Sequence, residues 1–159
     1  MQYYAAADPK DFMPDIPFAV FPASLHTGSR SRAELIPLDL SARLSPSAAE
    51  PSDVRTQCPP ATSPNLLASF LAIPSGCSLT LDAIATSHMF FVLRGSGNAH
   101  AEDGTGGNAA EGAELSWASG DLFTLPACAR ISLTADSVDS ALYYVHDAPL
   151  LAYLGVAPT

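Results

Sequence analysis

A regular series of turn formers constrains this chain more than any other feature. Between Gly76 and Pro126 it runs GCSLTLDAIATSHMFFVLRGSG, then a polar loop rich in Gly, Asn and Glu, then LSWASGDLFTLP. Gly76, Gly95, Gly120 and Pro126 punctuate these short β-rich runs. Glycine reaches positive φ without a steric penalty and proline withdraws a backbone donor, so each residue ends a strand or turns the chain. Short strands with turn signals at close spacing specify an all-β sandwich or barrel.

The strand pattern extends beyond that stretch. NLLASFLAI (Asn65–Ile73) is too apolar for a one-sided strand and is expected to be buried on both faces. CSLTLDAIA (Cys77–Ala85) places Leu79 and Leu81 on one face and Asp82 and Ile84 on the other. HMFFVLRG (His88–Gly95), SGNAHAED (Ser96–Asp103), the two halves of LSWASGDLFTLP (Leu115–Pro126), ARISLTAD (Ala129–Asp136) and SALYYVHD (Ser140–Asp147) complete the strands. Gly104–Glu114 has the composition of a flexible loop. PLLAYLGV (Pro149–Val156) predicts a short helix, with Asp147 as its cap and Pro149 in its first turn.

Residues 1–64 have a different character. Nine prolines between Pro9 and Pro60 exclude a long helix, and the segment reads as an irregular arm wrapping the barrel of residues 65–159. PFAVF (Pro17–Phe21) and AELIPLDL (Ala33–Leu40) are its candidate strands, Asp8–Met13 a candidate short helix, and Ser41–Pro64 loop. At 159 residues the chain is expected to form one domain with a full hydrophobic core.

Charge narrows the partners. Sixteen acidic against seven basic residues give a net charge of −9, which disfavours nucleic acid and anionic membrane surfaces. The longest apolar runs fall far short of the roughly 20 residues of a spanning helix. The N-terminal residues carry no basic segment followed by an apolar core, so no signal peptide is expected. Cys58, Cys77 and Cys128 are odd in number and contain no CxxC, which fits a reducing, cytoplasmic setting better than a zinc knot or disulfides.

The order of turns and strands resembles the cupin superfamily, small antiparallel barrels of the jelly-roll type. Its first motif, G-x5-H-x-H-x3-E-x6-G, falls on Gly76, Asp82, Ile84, His88 and Gly95. Its second, G-x5-P-x-G-x2-H-x3-N, falls on Gly120, Pro126, Cys128, Ile131 and Ala135. FVLRGSG, LSWASGDLFTLP and YYVHDAPLLAYLGV look most like gentisate 1,2-dioxygenase-type proteins, which carry two such barrels. The resemblance therefore covers one half of such a protein, or a single-barrel relative. It implies a double-stranded β-helix with a proline-rich arm and a short C-terminal helix.

The resemblance also implies where a metal would sit, and there the sequence departs from the family. Cupin enzymes hold Fe(II) or another divalent ion on the two histidines and glutamate of the first motif and the histidine of the second. Those positions hold Asp82, Ile84, His88 and Ile131. Isoleucine has no donor atom, so the usual site is not expected and no cofactor is predicted. An improvised iron site would need Asp82 and His88 with His146, or with His100, as a third ligand.

The remaining candidates follow from strand parity. His88 is expected to face the interior, as a polar anchor or as a buried histidine bonded to a neighbour, with Asp82 its expected partner. Phe90, Val92, Ile131 and Leu133 share that parity and make the interior apolar, whether they line a pocket or fill it. Trp117, Tyr143, Tyr144 and Tyr153 read as packing or interface residues. Arg94 and Arg130 are candidates for a substrate carboxylate, with surface ion pairing the more ordinary use. Cys128 reads as a structural thiol.

Three functions are compatible with these residues. The first is a metal-free barrel binding a small apolar or aromatic molecule around His88, Asp82, Phe90, Val92, Ile131, Leu133 and His146. The second is a dioxygenase-like enzyme with an atypical site on Asp82, His88 and His146. The third is a structural module forming a homodimer through strand edges.

Overall fold

A computed structural model describes residues 19–44, 59–102, 113–127 and 130–156. The possible helix at Asp8–Met13, most of the loop at Gly104–Glu114, and Cys58 and Cys128 lie outside these residues. The described strands form two antiparallel sheets facing each other without closing into a continuous barrel. One sheet has the order β1 (Glu34–Pro37), β2 (Leu67–Ile73), β9 (Ser140–His146), β4 (Ser87–Arg94), β7 (Leu122–Pro126). The other has the order β3 (Ser78–Leu81), β8 (Arg130–Ala135), β5 (Ser96–Glu102), β6 (Ala113–Ala118). The strands from Asn65 onward are those expected from the sequence.

The core is built by alternate residues of both sheets. Phe90 and Val92 of β4 and Leu71 and Ile73 of β2 meet Ile131 and Leu133 of β8, Ala99 and Ala101 of β5 and Trp117 of β6. β2 is apolar on both sides because both sides are covered. Its inner residues pair across β9, while Ala68, Phe70 and Ala72 face the arm. There β1 adds a strand along β2, and the helix α1 (Ser24–Thr27) sets His26 against Phe70, ring centroids 4.7 Å apart. Arg94 binds this arm, donating to the His26 carbonyl at 3.1 Å. A second short helix, α2 (Ser41–Leu44), follows β1. No strand forms within residues 19–21, the described part of the expected Pro17–Phe21 strand.

Two glycines explain how the chain passes between sheets. β4 breaks register between Val92 and Arg94, and Gly95, at φ 87°, then turns the chain into β5 of the opposite sheet. A side chain at Gly95 would collide with Ser140, its Cβ only 2.8 Å from the Ser140 Cα. At Gly97 a Cβ would meet the Trp117 ring at 2.5 Å, so the indole occupies space that only glycine leaves open. A side chain at Gly95 would push the chain off β9, and one at Gly97 would displace the Trp117 ring or the neighbouring strand.

The C-terminal helix α3 (Ala148–Leu154) packs Pro149 and Leu151 inward and ends at Gly155 in the left-handed region. The Gly155 and Val156 N–H groups close it onto the Ala152 and Leu151 carbonyls. Its cap differs from expectation. The Asp147 side chain makes no cap bond and instead accepts hydrogen bonds from the N–H and hydroxyl of Thr86. The first helical N–H, that of Ala148, donates to His146 Nδ1 at 3.3 Å. No helix among the described residues is long and apolar enough to cross a membrane.

Candidate functional site

The polar centre of the molecule grows out of the pairing of β4 with β9. His88 lies directly opposite His146, and Phe90 opposite Tyr144, with all four side chains on the inner face. Phe123, Phe90 and Tyr144 form a stacked column, with centroids 4.8 and 4.7 Å apart. The column ends at the two imidazoles: His146 lies 4.9 Å and His88 6.0 Å from the Tyr144 ring. His88 Nδ1 shares a hydrogen bond with the Tyr144 hydroxyl at 2.8 Å. His88 Nε2 is buried without a partner.

Burial governs the charge state of both rings. Desolvation lowers the His88 pKa, against the pull of Asp147. His146 is pushed down to about 4, first by burial and then by its neighbour His88, with Asp147 again opposing. Partial burial of Asp147 works against its ionisation, but hydrogen bonds from Thr86 and the Ser87 N–H outweigh it and hold its pKa below the usual carboxylate value. At neutral pH the centre is therefore two neutral imidazoles beside an anchored carboxylate.

Open space lies beyond His146. A groove of about 420 Å³ runs between His146, the start of β2 at Leu67, the Pro59–Pro60 segment, Ile84 and α3. Leu151 and Val156 contribute apolar walls, and Asp82 stands among the lining residues. This volume lies within the range of small-molecule pockets, and its walls are apolar apart from these two polar residues.

The expected site residues divide accordingly. His88 and His146 come together as neighbours, whereas Asp82 does not join them. β3 turns Leu79 and Leu81 toward the core, and Asp82, just past the end of the strand, points outward. Its side chain is 66% exposed and pairs with Arg130 at 3.1 Å, in place of the expected bond to His88. Phe90, Val92, Ile131 and Leu133 are fully buried core residues and do not line the groove. His100 projects from β5 on the face opposite the buried Ala99 and Ala101, so it cannot reach the imidazole pair. Tyr144 is the partner that sequence reasoning missed; its signal was the parity of Leu142, Tyr144 and His146 along one strand.

These positions do not suit the metal that such a fold usually holds. Asp82 is turned outward, Ile84 is 61% exposed, and Ile131 is aliphatic and buried. Among the described residues no three His, Cys, Asp or Glu side chains form a cluster able to hold an ion.

Comparison with known proteins bears on the architecture. Salicylate 1,2-dioxygenase from Pseudaminobacter salicylatoxidans superimposes with a TM-score of 0.50 at 23% identity, over 62% of this chain and 26% of that one. A structure of the same enzyme with gentisate adducts gives a TM-score of 0.50 at 23% identity, over 62% and 24% of the two chains. The fold is the cupin jelly roll. The chain spans about a quarter of the length of these cupin-fold neighbours, and at this identity the likeness is one of fold. No family model and no curated protein matches the sequence.

Proposed function

We propose that this cupin-fold chain is a metal-free binding barrel that takes a small apolar or aromatic molecule in the groove beside His146. The observation that carries this reading is the groove itself, open and apolar, next to a core already filled by Phe90, Val92, Ile131 and Leu133. The dioxygenase-like alternative would need a third ligand beside His88 and His146, and the outward Asp82 does not provide it.

A ligand that prefers the folded state raises the unfolding midpoint. A thermal-shift panel of small aromatic acids and neutral aromatics is expected to give saturable increases, abolished by Ile84→Asp at the exposed wall of the groove. Metal analysis of untagged protein is expected to find well under one equivalent of iron, manganese or zinc. Near-stoichiometric metal lost in His88→Ala would overturn the metal-free reading, and a panel without any shift would remove the binding reading.

A second reading, a homodimer, draws support from the outer face of β4 and β7. Met89, Phe91 and Leu122 are exposed there as a contiguous apolar patch, Phe91 directly opposite Leu122. Light scattering on dilution tests it: the dimer is expected to dissociate in Leu122→Lys, and a monomer at all concentrations would exclude it.

A further inference from the structure

The fold fixes which nitrogen of His146 carries the proton. Nδ1 receives the Ala148 N–H, a group that can only donate, so the neutral ring holds its hydrogen on Nε2. Unlike His88 Nε2, this nitrogen is not sealed in the protein without a partner, and His146 lines the groove. An N–H at Nε2 would serve a groove whose other polar lining residue is Asp82. A ligand that fills the groove without offering an acceptor leaves that donor desolvated and unpaired.

The surrounding charge decides what kind of acceptor fits. Asp147 follows His146 directly, and Asp82 lines the groove. Among the described residues the cation beside Asp82, Arg130, is shared between Asp82 at 3.1 Å and Glu102 at 3.9 Å, leaving that cluster net negative. The other groups facing His146 among the described residues are the His88 ring and the Tyr144 phenol, and α3 contributes only apolar side chains to the groove. A carboxylate entering here would give up its hydration for a single neutral donor, with Asp82 in the lining and the Asp147 carboxylate next to His146 along the chain. A neutral carbonyl gains the same hydrogen bond and loses far less hydration.

Building on the groove as the binding site, we infer that it selects a neutral apolar molecule bearing a carbonyl oxygen, a ketone, amide, ester or lactone, over the matching carboxylate. The oxygen accepts from His146 Nε2–H while the hydrocarbon part lies against Leu67, Ile84 and Leu151. With burial holding His146 near 4, the ring carries no charge at neutral pH that would reward an anion.

Three probes of matched size separate the possibilities: acetophenone, benzoate and ethylbenzene, titrated at pH 7.5 by calorimetry or ligand-observed NMR. Acetophenone is expected to bind about tenfold more tightly than either of the others, the scale of one buried hydrogen bond. In His146→Phe the ratio of acetophenone to ethylbenzene affinity should collapse toward one. Because that variant is free to repack, the histidine nitrogen spectrum of the unaltered protein provides a second check, in which His146 is expected as the Nε2–H tautomer. Benzoate binding as tightly as acetophenone, or His146 found as the Nδ1–H tautomer, would overturn the inference. Acetophenone and ethylbenzene binding equally, with no effect of His146→Phe, would overturn it and leave the groove reading standing. Failure of all three probes to bind would remove both.

Discussion

Mild acid is expected to destabilise this protein through its histidine pair. His146 has an ordinary value near 6.5 when unfolded and about 4 when folded. Between those limits the unfolded chain binds the extra proton, so stability is complete above pH 6.5 and falls as the pH drops toward 4. For His146 alone the loss is about 2 kcal/mol at pH 5 and approaches about 3 kcal/mol near pH 4. His88, lowered by the same burial, adds to the loss in the same direction. Asp39 and Asp147 have depressed values, so their contributions persist through this window and vanish only at lower pH. Urea unfolding at several pH values between 7.5 and 4.5, followed by fluorescence of the single, buried Trp117, measures the slope. His146→Gln, which cannot take up a proton, should flatten the profile by nearly one proton. A flat profile for the unaltered protein between pH 7 and 5, or an equal slope in His146→Gln, would refute the assignment of buried neutral imidazoles.

Two further substitutions examine the frame and the ring cluster. Gly95→Ala forces a side chain into a positive-φ position against Ser140 and should cost about 2–4 kcal/mol or prevent folding; a loss under about 1 kcal/mol would show that the sheets can separate there. Tyr144→Phe removes the hydrogen-bond partner of His88 Nδ1 and should cost about 1–3 kcal/mol by urea denaturation. In a His88→Leu background the same change should cost clearly less, and an equal cost in both backgrounds would mean that the hydrogen bond contributes nothing.

How much of this was legible in the sequence depends on what kind of information each feature needs. Gly76, Gly95 and Gly120 all take positive φ, so their spacing reports a backbone requirement that no other residue meets as easily. The strands between them follow from period-two alternation, and the architecture follows from the strands. His88 was legible as an interior residue for the same reason. Its partner was not, because Tyr144 meets it through the register of two strands far apart in sequence, and registers are settled by global packing. Asp82 shows the limit most clearly. A motif position states where a residue lies along the strand, whereas the inward face is decided by competition between the two alternating sets. In β3 the leucines at 79 and 81 win that competition, and the carboxylate is turned to solvent and Arg130. The groove was the least legible feature, since Pro59, Ile84, His146 and Leu151 converge from four separate segments. Turn glycines answer to the backbone and polar side chains to their surroundings: here the glycine frame holds a core in which Ile131 is buried hydrocarbon, Asp82 and Ile84 lie at the surface, and His88 is buried. The polar chemistry sits across the β4–β9 pair, from His88 to the end of β9, where a backbone N–H sets the tautomer of His146.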